Sequence, residues 1–160
     1  MNTDTAALAA RLQSELSDLE QIVKRAQKLL TKAVEQDADY YDGVALNLHS
    51  FYTGAERILE EIAKEIDDSV PDGAGWHRNL LMQVSAELSS IRPAVISRGT
   101  RHCLDEYRGL IHIVQNIYTF NLRPSRLREL VTDLPRCYGS LKADIDSFCV
   151  FLNELAADPE

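Results

Sequence analysis

Residues 4–35 read DTAALAARLQSELSDLEQIVKRAQKLLTKAVE. The apolar positions Leu8, Leu12, Leu16, Leu19, Val23, Ala26, Leu30 and Ala33 recur three or four apart, with neither Pro nor Gly between them. At 3.6 residues per turn that spacing lays them in one stripe along a helix. Asp4 is placed to cap its start. A helix of this length needs partners along its whole stripe, which means a bundle or a coiled coil.

The rest of the chain repeats the pattern. After a polar turn at Asp37–Asp42, with Gly43 near the next start, a second helix is expected from about Tyr41 to Ile66, with Val44, Leu48, Phe51, Ala55, Ile58, Ile62 and Ile66 inward. Its other sides carry His49, Glu56, Arg57, Glu60, Glu61 and Lys64. The loop DDSVPDGAG (Asp67–Gly75) precedes a shorter helix from Trp76 to about Leu88. Thr100 can cap a helix from Arg101 to Phe120, and apolar residues cover more than one face of it. Asn121–Pro124 breaks that helix. Ser125 can cap a short piece from Arg126 to Asp133, and Pro135 opens a last helix to Leu155. No alternating strand or hairpin signal occurs. The expected fold is all-α, an up-and-down bundle of about five helices in a single domain spanning residues 1–160.

Composition narrows the functional classes. No apolar run reaches the roughly 20 residues of a membrane span, and the polar N-terminus does not read as a secretory signal. Cys103, Cys137 and Cys149 are odd in number and lack metal-site spacing, so they read as reduced core thiols of a cytoplasmic protein. No metal or cofactor is expected. The net charge of −8 argues against a general nucleic-acid binder. Between Arg92 and Arg136, however, there are eight Arg and no Lys against four acids, a local balance of +4. Guanidinium groups suit bidentate phosphate contacts, and pairing with nearby carboxylates is the plainer alternative.

The chemistry concentrates in one stretch, RGLIHIVQNIYTF (Arg108–Phe120). Arg108, His112 and Asn116 fall at i, i+4 and i+8, near one helical face. An Arg that holds a phosphate and a His that moves a proton suffice for metal-free cleavage of RNA. Glu56 and Arg57 can face the same cleft if the second helix neighbours this one. A surface pair is the plainer reading, favoured for Glu56. His77 reads as part of a helix start, and His49 and His102 have no partner legible in the sequence.

From Tyr40 to Leu155 the chain resembles the HepT-like branch of the HEPN superfamily, small all-α toxins encoded beside a minimal nucleotidyltransferase. The stretches that carry the resemblance are YYDGVALNLHSFYTGAERILEEIA, WHRNLLMQ, LDEYRGLIHIVQNIYTF and LPRCYGSLKADIDSFCVFLNEL. It implies a four-helix HEPN-like core, a homodimer with a composite RNA cleft, and a nucleotidyltransferase antitoxin as partner. The family's Arg, His and Tyr signature falls on Ile111, Asn116 and Tyr118, with an earlier His on His112 and a second Arg on Gln115. Tyr118 then corresponds to the acceptor for adenylylation. Asn116 hydrogen-bonds but exchanges no proton near neutral pH, and Ile111 does neither. Arg108 and His112 can supply both functions from a shifted register, with Asn116 and Arg57 orienting the substrate. Two alternatives stand beside this reading: a non-catalytic dimer that binds the nucleotidyltransferase or another protein, and a helical module with a small-molecule pocket.

Overall fold

The computed structural model describes residues 3–110 and 123–158. Among these the chain forms five α-helices and no β-strand: α1 (Thr3–Glu35), α2 (Tyr40–Ile62), α3 (Trp76–Val84), α4 (Arg98–Arg108) and α5 (Pro124–Ala157). The all-α expectation holds. None of these helices is long and apolar enough to cross a membrane.

α1, α2 and α5 are the long staves. α1 packs along both α2 and α5, and α4 is held by α2, α3 and α5. The stripe read from α1 is the buried face: Leu8, Leu12, Leu16, Leu19, Val23, Ala26 and Ala33 all lie in the core, with Leu30 at its edge. α1 and α2 approach closely at Gly54, where a Cβ would stand 2.5 Å from Leu19 Cδ2. Buried hydroxyls tie the staves further, since Tyr138 on α5 donates to the Leu16 carbonyl at 2.8 Å.

Several boundaries differ from the expectation. α2 ends at Ile62 and continues as a π-helical turn, Ala63–Asp67, closed by Asp68 in the left-handed region at φ 51°. α3 stops at Val84, four residues early. α4 starts at Arg98 because Ser97, not Thr100, is its cap: Ser97 Oγ accepts the Thr100 N–H at 3.1 Å. α1 begins at Thr3, so Asp4 lies inside the first turn, where its charge complements the helix dipole. The largest correction is at Pro135. The short piece and the last helix expected there are one helix of 34 residues with Pro135 inside it. A proline removes one backbone donor and disfavours the helix interior. Here Leu127, Leu130, Val131 and Leu134 before it, and Cys137, Tyr138 and Leu141 after it, continue one buried stripe, and that packing outweighs the local penalty.

Candidate functional site

Arg108 sits at the C-terminal end of α4, and four contacts fix where that helix lies. At its start, the Asp144 carboxylate of α5 accepts from the Ser97 backbone N–H at 3.0 Å and from the Thr100 hydroxyl at 2.5 Å. At its end, the Tyr107 hydroxyl donates to the Leu130 carbonyl at 2.7 Å, while its ring meets Phe51 of α2 edge-on at 5.4 Å. Burial, with the nearby charges of Asp133 and Glu106, pushes the Tyr107 phenol up, so it stays a neutral donor. Arg108 follows directly, half-buried, with Nε donating to Asp105 Oδ1 at 2.7 Å.

A histidine–carboxylate pair joins α2 to α3. Glu56 on α2 is buried, its side chain only 9% exposed, and His77 Nδ1 lies 2.5 Å from its Oε2. A carboxylate only accepts, so Nδ1 carries the hydrogen of this contact. The His77 ring stacks on Trp76 at 3.9 Å. One turn before Glu56, Tyr52 is fully buried, and its hydroxyl has no hydrogen-bond partner of standard geometry among the described residues. Burial first, and then the adjacent Glu56 carboxylate, push its phenol up, while the Arg108 guanidinium opposes them. Both the Glu56 carboxylate and the Arg108 guanidinium are thus charged neighbours of the Tyr52 hydroxyl. A groove of about 170 Å³ lies between α3 and α4, lined by Arg78, Leu81, Met82, Arg101, His102 and Asp105.

The Arg-rich segment divides. Arg92 is buried in structural contacts, paired with Asp67. Arg108, Arg126 and Arg136 meet the segment's own acids, Asp105, Glu106, Glu129 and Asp133. Arg128 donates to the Tyr41 hydroxyl and Arg101 to Ser85 Oγ. Those four acids already enter the +4 balance, and of the pairs just described only Arg92–Asp67 draws on an acid outside the segment, so most of the excess positive charge stands.

Arg57 and Arg108 are not brought together. Arg57 is exposed in a groove of about 370 Å³ between α1 and α2, with Glu15, Asp18, His49 and Thr53. Burial and the neighbouring Glu61 carboxyl push Glu15 up to about 7, against the pull of Arg57 and Arg11. His112, Asn116 and Tyr118 lie outside the described residues, as do Ile111 and Gln115.

The cysteine expectation is also corrected. Cys103 on α4 and Cys137 on α5 form a disulfide, with Cα atoms 5.8 Å apart, and Cys149 is a free, buried thiol. Sequence spacing cannot show that two helices bring residues 34 apart face to face. No cluster of three or more metal-ligating side chains occurs among the described residues.

Compared with known families, residues 43–152 match the family described as HepT-like protein. The chain belongs to the HepT-like family. No curated protein and no solved structure matches it. The HepT-like span takes in most of α2, all of α3 and α4 and most of α5, and with them Glu56, His77 and Arg108. It leaves out α1, which nonetheless supplies a long packing face to α2 and α5. Within this HepT-like chain, sequence reasoning missed the Glu56–His77 pair. Glu56 looked like surface because Glu60, Glu61 and Arg57 surround it, and His77 looked like a helix start. The available signal was position: Glu56 follows Tyr52 at i+4 and Ala55 at i+1, on the edge of the apolar stripe.

Proposed function

We propose that this HepT-like chain is a homodimeric RNA-cleaving toxin subunit, whose motif segments meet across a two-fold axis and which is silenced by a nucleotidyltransferase partner that adenylylates Tyr118. Arg108 holds the scissile phosphate and His112 transfers a proton, with Asn116 orienting the substrate. The observation that supports this most is the placement of Arg108. It stands half-buried as the last residue of α4, oriented by Asp105, and His112 follows four residues later in sequence, beyond the Gly109 that caps this helix. An oriented guanidinium stabilises charge as it develops on a phosphorane, and no metal is needed for that contribution.

The test is incubation of the purified chain with a defined single-stranded RNA in the presence of chelator, beside Arg108→Ala and His112→Ala. The expected result is cleavage by the wild-type chain and a fall of about 100-fold or more in each variant. Arg108→Lys keeps the charge but loses the planar fork, and should restore only part of the rate. Intact RNA in every lane would overturn this reading. It would favour a non-catalytic dimer that binds the nucleotidyltransferase, a second reading supported by Ile111 and Asn116 standing where the family signature has Arg and His.

A further inference from the structure

A disulfide is opened by a thiolate only where one of its sulfurs can be reached. The Cys103–Cys137 bond has such an approach. Both cysteines line a groove of about 330 Å³ between α4 and α5. The two sulfurs are not equivalent. Cys137 is 3% exposed, whereas Cys103 is only partly buried at the edge of the core. A helical side chain leans over the turn that precedes it. For Cys103 that turn carries Gly99, which lines the same groove. A Cβ at Gly99 would meet nothing nearer than Ser97 Oγ at 3.9 Å, so the space beside the Cys103 sulfur is left open.

We propose that the Cys103–Cys137 bond is a thiol–disulfide exchange site, at which a low-molecular-weight thiol entering this groove attacks Cys103 and forms a mixed disulfide there. The small thiol, as its thiolate, bonds to Cys103 Sγ while the bond between the two cysteines breaks. Cys137 leaves as a thiolate and takes a proton from water. A second small thiolate then attacks the external sulfur, which frees Cys103 and releases the oxidised dimer of the small thiol. Two electrons pass from two thiols to one disulfide. Running the first step backwards, Cys137 is the resolving thiol that closes the bond again. The proposal does not depend on RNA cleavage.

Three observations support an exchange that the folded chain survives. α4 is held at both ends without the bond: Asp144 fastens its start through Ser97 and Thr100, and Tyr107 fastens its end to Leu130 and Phe51. A freed Cys103 thiol has an acceptor in place, since its Sγ stands 3.2 Å from the Thr100 carbonyl oxygen. Cys149 is the internal contrast. It is a free, buried thiol that burial pushes up, which leaves little thiolate to compete in the exchange. A purely structural staple would contain the same bond and behave differently. It would resist a glutathione buffer while the chain is folded and yield only on unfolding.

The test incubates the natively folded full chain with reduced glutathione, quenches in acid, alkylates under denaturing conditions and maps the peptides by mass spectrometry. Cys137→Ser and Cys103→Ser are treated with oxidised glutathione in parallel, and thermal melting confirms that each is folded. We expect the wild-type bond to open in native buffer, with alkylated Cys103 and Cys137 and a fraction carrying glutathione on Cys103. We expect Cys137→Ser, which lacks the resolving thiol, to gain the mass of one glutathionyl group on Cys103, and Cys103→Ser to gain none. A wild-type bond that survives in native buffer and opens only in urea marks a staple and overturns the proposal. Glutathione on Cys137 or Cys149 in Cys103→Ser overturns it as well, and so do three free thiols before any reductant is added. Should a variant fail to fold, the wild-type comparison with and without urea decides alone.

Discussion

Arg92 and Asp67 form a two-point ion pair with essentially no solvent exposure on either side chain. Nε donates to Oδ1 at 2.5 Å and Nη2 to Oδ2 at 2.8 Å. The remaining guanidinium hydrogens reach the carbonyls of Ala86, Pro93 and Gln83, and Gln83 Nε2 donates to Asp67 Oδ2. One arginine therefore organises the irregular connection between α3 and α4. Removing only its partner leaves a buried, uncompensated charge. Asp67→Ala should cost about 3–5 kcal/mol in urea unfolding, whereas the double replacement Asp67→Leu with Arg92→Met should cost clearly less. Equal losses in the two would show that the pair is not buried as described.

The Cys103–Cys137 disulfide closes a sequence separation of 34 residues. By the loss of chain entropy in the unfolded state, a loop of that size contributes about 3–4 kcal/mol. Alkylation under denaturing, non-reducing conditions should label one thiol, Cys149, and label three after reduction. Reduction should also lower the Tm of the wild type and leave a Cys103→Ser, Cys137→Ser variant unchanged. Three labelled thiols without reductant would contradict the bond.

Glu15 gives a pH dependence whose sign is opposite to that of an ordinary salt-bridged carboxylate. Its oxygen Oε2 and that of Glu61 are both buried without a hydrogen-bond partner among the described residues, the Arg11 guanidinium standing 4.0 Å from Glu61, so a proton on Glu15 would supply the missing donor. With the folded pKa raised to about 7 from 4.5, the native state binds more protons than the unfolded one across that interval. Its contribution is therefore full below about pH 4.5, declines as pH rises, and is lost above about pH 7. Between pH 5 and pH 8, wild type should lose more stability than Glu15→Gln, read from urea midpoints. Parallel profiles would rule out the proton on Glu15.

The bundle was readable from periodicity because burial obeys it. The stripes of α1 and α2 are nearly all in the core, and helix class follows from spacing alone. Pro135 misled because a local rule was applied where tertiary packing decides. The disulfide, the Arg92–Asp67 pair and the Glu56–His77 pair join residues from separate segments, which no single-chain pattern encodes. Arg108 was legible because its candidate partners lie within a turn or two of it. Glu56 was not, because one buried glutamate among four charged neighbours looks the same in sequence as an exposed one. The first turn of α3 shows the same limit: Trp76 and His77 were read correctly as a helix start, and only the fold shows that this start is delivered to Glu56.

The most direct test of the account is the chemistry of the RNA ends. Fragments made by the purified chain in chelator should be analysed by mass spectrometry. Attack by the 2′-hydroxyl at a phosphate held by Arg108 predicts 2′,3′-cyclic phosphate and 5′-hydroxyl termini, absent when Arg108→Ala replaces the wild type. Uncut RNA, or fragments ending in 3′-hydroxyl and 5′-phosphate, would contradict it.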